Sequence, residues 1–195
     1  MTESITATGD IRHMTAEGFR AMMRGFPTGV SIVTATDVSG APRGMTCTSV
    51  SSVTLRPPTL LVCLRDGSPT LEAVVSSGTF SVNLLHSAAQ SAAELFASGA
   101  PNRFDLIYWE QSSVNGSPRL SRDAHAIAEC RVIHTATVGD HTVVFGETLS
   151  ITRNSGLEPL LYGLGQYRFW PEMEANGTTC NQNVHDCELS NRTIE

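Results

Sequence analysis

The chain has 195 residues, which is enough for one domain with a well-buried core. Hydrophobic residues make up 41% of it and charged residues 16%, and no apolar run reaches the roughly 18 residues that a membrane span needs. The net charge of -6 argues against nucleic acid and anionic membranes as partners, because both attract a basic surface.

All 13 basic residues are arginine. The absence of lysine excludes Schiff-base chemistry and a Walker-type phosphate loop. A bound phosphate would therefore be held by arginine side chains, hydroxyl groups and backbone N–H groups, and the planar guanidinium group suits that task.

The five cysteines include no C-x-x-C pair, so neither a disulfide framework nor a metal site is predicted. The first residues, MTESITATGDIRHMT, are polar and lack the apolar segment of a signal peptide. We therefore expect a cytoplasmic protein with reduced thiols. Cys63 and Cys130 fall within predicted strands, where we expect them to pack as small apolar side chains.

The first predicted element is an amphipathic helix that begins at the N-cap Thr15 and ends near Phe26. Its apolar stripe consists of Phe19, Met22, Met23 and Phe26. These positions follow the i, i+3, i+4, i+7 spacing of one helix face. Pro27, Thr28 and Gly29 then end the helix.

Four strands are predicted in the first half of the chain, at Val30–Thr36, Gly44–Leu55, Thr59–Leu64 and Phe80–Leu85. The turn at residues 37–43 joins the first two strands as a hairpin. A short helix separates the last two strands, with Ser68 as N-cap, Pro69 at the first helical position and Gly78 at the end. A further helix is predicted to open at Ser87, which has capping-box spacing to Gln90, and to close at Gly99.

The second half of the chain begins with an irregular stretch at residues 100–122. Two strands follow, Ala126–Ala136 and Thr142–Thr152, joined by the turn at residues 138–141. A last extended segment covers Leu160–Phe169. Strands joined by turns, with short covering helices, predict a mainly antiparallel β architecture that closes into a barrel. We expect an N-terminal extension at 1–14, one domain at 15–170 and a polar tail at 171–195.

Two segments rich in hydroxyl groups are candidate anion sites. The first contains Thr46, Thr48, Ser49, Ser51 and Ser52. The alternative interpretation of this segment is a solvent-facing polar strand. The second is the helix start at Ser68 and Thr70, where free N–H groups and the positive end of the helix dipole favour a phosphate. Most such helix starts bind nothing, so a purely structural role is the alternative.

Two further candidates combine charge with turn or ring geometry. Asp140 and His141 place a carboxylate beside an imidazole in a predicted turn, although a loop histidine often has no function. Arg103 and Phe104 pair a cation with an aromatic ring, a combination that can grip phosphate and cover a planar ligand. The chain has no Ser-His-Asp order, zinc-protease motif or dinucleotide fingerprint.

Six segments together resemble the short-chain flavin reductase family over roughly residues 19–169. They are FRAMMRGFPTGVSIVTA, GMTCTSVSSVTLRPPTLLVCL, SPTLEAVVSSGTFSVNLL, LFASGAPNRFD, ECRVIHTATVGDHTVVFGE and PLLYGLGQYR. The resemblance implies a six-stranded antiparallel split β-barrel of Greek-key type with short covering helices. It also implies a homodimer with the flavin near the subunit interface.

The resemblance also implies roles for individual residues. The cofactor-binding set would be Pro27, Thr28, Gly29, Thr46, Thr48, Ser49, Ser51, Ser52, Ser68, Thr70, Asn83, Arg103, Phe104, His141 and Tyr167. Ser68 and Thr70 would clamp the flavin phosphate, and the hydroxyl-rich segment would contact the flavin ring. His141, the candidate catalytic residue, and Tyr167 would lie on the nicotinamide side. Cys47 departs from the small residue that many relatives carry there.

The implied activity is hydride transfer from NADH or NADPH to FAD or FMN, with the reduced flavin delivered to a separate monooxygenase. Bound cofactors would carry the chemistry, so the protein would contribute binding and orientation. Two alternatives remain. One is a non-catalytic module that stores flavin. The other is a different enzyme with the same barrel, either an oxidoreductase of the pyridoxamine-phosphate-oxidase type or a haem-handling enzyme.

Overall fold

The computed structural model describes residues 15–170. Its helices are α1 (Ala16–Arg24), α2 (Pro69–Ser77) and α3 (Gln90–Ala97). Its strands are β1 (Thr28–Gly29), β2 (Ser31–Thr36), β3 (Pro42–Cys47), β4 (Val50–Leu55), β5 (Pro58–Arg65), β6 (Thr79–Leu85), β7 (Glu110–Gln111), β8 (Pro118–Arg119), β9 (Ala124–Val138), β10 (His141–Arg153), β11 (Leu160–Gly163) and β12 (Gln166–Phe169). The predicted extension at 1–14 and the tail at 171–195 lie outside the described residues.

Seven strands form one antiparallel sheet in the order β3-β2-β6-β9-β10-β5-β4. The two ends of this sheet are consecutive in the chain, because β3 runs into β4 through residues 48 and 49. Ser49 joins the corner to the sheet: its Oγ donates to the Cys63 carbonyl at 3.1 Å and accepts from the Cys63 N–H at 3.2 Å. The sheet thereby closes into the predicted barrel.

The prediction of one continuous strand over Gly44–Leu55 is wrong in its middle. The segment breaks at residues 48 and 49, so its first half pairs with β2 and its second half with β5. One bent segment therefore takes two places in the sheet, which is why the structure has seven strands where six were expected. A strand must bend sharply where it passes from one neighbour to the other around a small barrel.

Two apolar clusters lie on opposite sides of the sheet. The barrel interior holds Val33, Val62, Leu64, Leu71, Val74, Phe80, Val82 and Val144. The second cluster packs α3 against the outside and contains Ile32, Leu85, Ala93, Phe96, Leu120 and Leu160. Ile32 and Val33 point to different clusters because successive side chains alternate across a strand. The sequence of β2 is almost continuously apolar because both of its faces are buried.

The helices lie where they were predicted, except that α3 begins later than expected. α2 has its predicted cap at Ser68 and ends at Gly78, whose φ of 69° is left-handed. The predicted start of α3 at Ser87 is wrong, because the helix begins at Gln90 and its N-cap Ala89 offers no side-chain hydrogen bond. α1 forms where the apolar stripe predicted it, yet none of its residues is buried within the described chain.

The last extended segment is a tight hairpin rather than a single piece. β11 pairs with β12 and also with β1, which forms a three-stranded sheet beside the barrel. Leu164 and Gly165 turn the chain with φ values of 53° and 77°. Within residues 15–170, no helix has both the length and the hydropathy needed to cross a bilayer.

Candidate active site

A cavity of about 580 Å³ opens where α1, the β3–β4 corner, β5 and β11 meet. Its lining consists of Arg20, Met23, Arg24, Phe26, Thr28, Thr48, Ser49, Val50, Ser51, Leu61, Cys63 and Tyr162. The volume falls within the range of about 300–1,000 Å³ typical of small-molecule sites. Apolar walls, a few hydroxyl groups and two guanidinium groups suit a planar ligand that carries anionic groups.

Four of the predicted flavin residues line this cavity: Thr28, Thr48, Ser49 and Ser51. Thr28 reaches it from β1, Thr48 and Ser49 come from the β3–β4 corner, and Ser51 lies on β4. The Ser49 hydroxyl is committed to Cys63, whereas Ser51 Oγ donates only at 3.3 Å to the neighbouring Ser52 carbonyl. Pro27 lies beside this group, packed close to Gly163, where an added Cβ would come within 3.2 Å of the proline Cβ.

Thr46, Ser52 and Gly29 do not line the cavity. Thr46 Oγ1 donates to the Ala93 carbonyl at 2.6 Å, so this hydroxyl anchors α3 against β3. Ser52 is exposed on β4 opposite Leu60. Gly29 is exposed on β1 and pairs with Leu161.

Ser68 and Thr70 stand at the start of α2, five and seven residues beyond Cys63. Ser68 Oγ accepts from the Leu71 N–H at 3.2 Å and so caps the helix. Thr70 is buried with only 1% of its surface exposed. The sequence correctly predicted the cap, while the flavin-phosphate clamp stays a prediction.

Asn83 is fully buried on β6, away from the cavity. Its Nδ2 donates to the Ile32 carbonyl at 3.0 Å and to Thr34 Oγ1 at 3.1 Å, and its Oδ1 accepts from the Leu120 N–H at 2.8 Å. These hydrogen bonds join β2 and β6 to the loop after β8 that contains Leu120. The side-chain amide thus makes its hydrogen bonds within the fold, and the structure does not bring Asn83 to the other predicted flavin residues.

Arg103 and Phe104 lie on the α3 side of the barrel. Phe104 packs edge-on against Phe96 at 5.0 Å and against Trp109 at 5.8 Å between ring centroids. The Arg103 guanidinium lies 5.8 Å from the Phe96 ring centroid. Burial lowers the pKa of Arg103, with a further contribution from nearby Arg43. Within one chain this pair does not meet the cavity.

The Gly-Asp-His turn is adjacent to the start of α2. The Asp66 N–H donates to the Asp140 carbonyl at 3.0 Å, and Thr142 Oγ1 donates to Asp66 Oδ1 at 2.7 Å. His141 pairs with Arg65 across β10 and β5, and Val143 pairs with Cys63. Because alternate residues share a face, His141 lies on the cavity face of the barrel, about 7 Å along the strand from the Cys63 row.

Tyr167 does not line the cavity but packs behind one of its lining residues. Its ring lies 5.2 Å from that of Tyr162, which is a lining residue. Burial raises the pKa of Tyr167, and nearby Glu94 and Tyr162 act in the same direction. Tyr167 thus supports a wall of the cavity from β12.

Several lining residues were not predicted from the sequence. Arg20 and Arg24 had a readable signal, since they are one helical turn apart immediately before the predicted Pro27–Gly29 segment. Tyr162 had none, because only the pairing of β11 with β1 brings it beside Thr28. Cys63 was expected to be packed, but it is only half-buried and lines the cavity. Cys130 is buried as expected, and burial raises its pKa to about 12.

The comparison with protein families decides the membership of this chain. The family model described as "Flavin reductase like domain" matches residues 23–171, more than half of the chain. The chain belongs to the flavin reductase family. Its barrel is the family fold, and the cavity is formed by segments that carry the family resemblance.

Curated relatives support this membership. The chain is 51% identical over 158 residues to a protein named flavin reductase (NADPH) of Lentzea aerocolonigenes, with 81% of this chain and 92% of the relative covered. It is 37% identical over 150 residues to the reductase subunit HsaB of a flavin-dependent monooxygenase of Rhodococcus jostii, covering 76% and 75%.

A solved structure from the same family has the same fold. It is the NADH:FAD oxidoreductase SgcE6 of Streptomyces globisporus, in complex with NAD and FAD fragments. The similarity has a TM-score of 0.75 at 33% identity and covers 81% of this chain and 94% of that one.

Proposed function

We propose that this chain is an NAD(P)H-dependent flavin reductase that transfers hydride from a nicotinamide to FAD or FMN. The observation that carries the proposal is the cavity of about 580 Å³ whose hydroxyl-bearing wall is the segment that the family resemblance assigns to flavin. Apolar side chains on the other walls suit an isoalloxazine ring, and the hydroxyl and N–H groups of the β3–β4 corner suit its polar edge.

The flavin supplies the electron sink and the nicotinamide supplies the hydride when both are bound. The protein contributes orientation and exclusion of water. Val50 and Leu61 would flank the ring and keep water from it, while Thr48 and Ser51 would donate hydrogen bonds to its polar atoms. Such orientation can lower an encounter barrier by roughly 7–11 kcal/mol.

Some of the other predicted residues would act at the edges of this arrangement. Ser68 would hold the flavin phosphate at the α2 N-terminus, where backbone N–H groups and the helix dipole attract an anion. Thr70, whose side chain is buried, would support this helix start from the interior rather than offer an exposed hydroxyl group to the phosphate. His141, on the same barrel face, would orient the nicotinamide. Arg103 and Phe104 would reach a flavin only across a subunit interface.

We infer that the protein works as a cytoplasmic homodimer and passes reduced flavin to a separate monooxygenase. The relative named as a monooxygenase reductase subunit supports the second inference. The apolar stripe of α1 supports the first, because Phe19 and Met22 are more than half exposed in one chain and a second copy could cover them.

Oxidation of NADH and NADPH with FAD, FMN and riboflavin as acceptors tests the activity. We expect reduction of added flavin under anaerobic conditions, with multiple turnovers. A protein that binds flavin but reduces none with either dinucleotide is the storage module instead. Oxidation of pyridoxamine phosphate would identify the other barrel enzyme.

A further inference from the structure

The charge of the cavity differs from that of the whole chain. The chain carries a net charge of -6, yet both charged residues of the cavity wall are cationic, namely Arg20 and Arg24. Among residues 15–170, no carboxylate lies within ion-pair distance of either guanidinium group. Two guanidinium groups on one wall attract an anion with more than one charge.

Their spacing on α1 makes the two side chains act together. Arg20 and Arg24 are four residues apart, so they project from the same face of the helix, about 6 Å apart at their Cβ atoms. Arg24 also lies in the last turn of α1, where the helix dipole favours a cation. The forked geometry of two arginines matches a phosphate monoester, which carries up to two charges and three equivalent oxygens.

The position of the pair argues against the flavin phosphate as its ligand. The cavity includes Leu61 and Cys63 but not Arg65, so along β5 it extends away from the α2 N-terminus. The phosphate clamp expected at Ser68 lies in the opposite direction from Cys63. A flavin whose phosphate sits at α2 therefore leaves the α1 wall to the second ligand.

We propose that Arg20 and Arg24 bind the 2′-phosphate of NADPH and give the enzyme a preference for NADPH over NADH. This inference rests on the proposed function. NADPH differs from NADH only by that monoester, which is a group that two arginines without a carboxylate partner among residues 15–170 would recognise. The site holds the dinucleotide at the α1 wall, so that its nicotinamide end can reach the ring bound along the β3–β4 corner.

The test compares two measurements on the full chain, namely kinetics and binding. The first is the ratio of kcat/KM for NADPH to kcat/KM for NADH, in wild type and in the Arg20→Gln/Arg24→Gln double variant. We expect wild type to favour NADPH and the double variant to lower the ratio at least tenfold, mainly through KM. Arg56→Gln, at an exposed arginine outside the cavity, is the matched control and should keep the ratio.

The second measurement is calorimetric titration with adenosine 2′,5′-bisphosphate and with 5′-AMP, which needs no catalysis. We expect wild type to bind the bisphosphate at least tenfold more tightly than AMP, and the double variant to lose this difference. Arg20→Lys/Arg24→Lys should restore part of it, because the charge returns without the fork. Thermal melts confirm that each variant is folded.

Three results would overturn the inference. They are an unchanged ratio in the folded double variant, an equal loss with both dinucleotides, and weaker binding of FMN but not of riboflavin. The second would assign the pair to the shared diphosphate, and the third to the flavin phosphate. A wild type that reduces flavin with neither dinucleotide contradicts the proposed function, while the titration still decides the arginine site.

Discussion

At the tip of the β9–β10 hairpin, His141 Nδ1 lies 2.8 Å from Asp140 Oδ1. The hydrogen bond from His141 holds the pKa of Asp140 below its ordinary value. The ionised carboxylate therefore accepts from the ring across the physiological range and fixes its orientation. This contact would help to position His141 for the nicotinamide that it is expected to orient.

We predict that His141→Ala raises KM for the nicotinamide dinucleotide and leaves the flavin dissociation constant near that of wild type. One lost positioning hydrogen bond costs about 1–3 kcal/mol, far less than the loss of an essential acid or base. Steady-state kinetics and flavin titration check this together. Asp140→Asn, which keeps the ring, should have a smaller effect. Unchanged kinetics with weaker flavin binding would assign the turn to the flavin pocket.

A second residue-scale feature is the carboxylate of Asp37 in the β2–β3 turn. It accepts from Ser39 Oγ at 2.6 Å, from the Ala41 N–H at 3.0 Å and from Arg43 Nε at 2.9 Å. These hydrogen bonds, that from Ser39 first, lower the pKa of Asp37 from 3.8 to about 2. The carboxylate is thus preferred over the acid in the folded chain.

This lowered pKa predicts a pH dependence of stability. A depressed folded-state pKa stabilises the protein above the unfolded-state value, and that stabilisation is lost as the pH falls through the folded-state value. The difference in unfolding free energy between wild type and Asp37→Asn should therefore shrink as the pH falls from about 4 to about 2. Ser39→Ala should move the Asp37 midpoint upward in a carboxyl titration by NMR. A difference that is constant with pH would contradict the assignment.

At the scale of elements, α2 has two expected roles that use the same residue. Ser68 caps the helix through Leu71, and its hydroxyl group is also expected at the flavin phosphate. Replacing an N-cap serine with alanine costs about 0.5–2 kcal/mol, so Ser68→Ala would mix a loss of stability with a loss of binding. A substitution that keeps the cap separates the two roles.

We predict that Ser68→Asp keeps the stability near wild type and weakens FMN binding at least tenfold. Aspartate caps a helix as well as serine does, but its charge repels a phosphate. Riboflavin, which lacks the phosphate, should bind with unchanged affinity. Ser68→Asn is the matched control, since it caps without charge. Equal FMN affinity in wild type and in Ser68→Asp would show that the phosphate does not bind at this helix start.

On the scale of the whole molecule, the apolar stripe of α1 is the main apolar surface that one chain leaves exposed. A helix with an apolar face gains its stability chiefly by packing that face against a partner. α1 contributes no buried residue to the described chain, although its N-cap and apolar spacing are well formed. Assembly would supply the missing contacts.

We predict that the protein in solution has twice the chain mass of 20.9 kDa, as measured by size exclusion with light scattering. Phe19→Glu should shift the equilibrium toward monomer and weaken flavin binding, because it places a charge in the apolar stripe that the second copy is expected to cover. Val38→Glu is the control, as Val38 is 89% exposed in the β2–β3 turn and outside that stripe. A wild-type monomer that binds flavin with full affinity would refute the dimer.

The sequence by itself determined most of the local elements and the family. β-branched runs were enough to predict most of the strands, and the Ser68 cap and Gly78 were enough to predict α2, because these signals act within a few residues. The family membership followed from segments in a fixed order. Of the predicted flavin residues, Thr28, Thr48, Ser49 and Ser51 do meet at one cavity.

Only the tertiary structure decided which polar side chains are free to bind a ligand. Asn83 and Thr46 resemble site residues in the sequence, but their side chains hydrogen-bond within the fold. Asn83 bonds to β2 and to the loop that contains Leu120, and Thr46 bonds to α3. Gly146 carries no local signal, yet a Cβ there would lie within 2.9 Å of the Cys130 Cβ. Such contacts join residues tens of positions apart, and they depend on strand pairing and register, which local pattern does not fix.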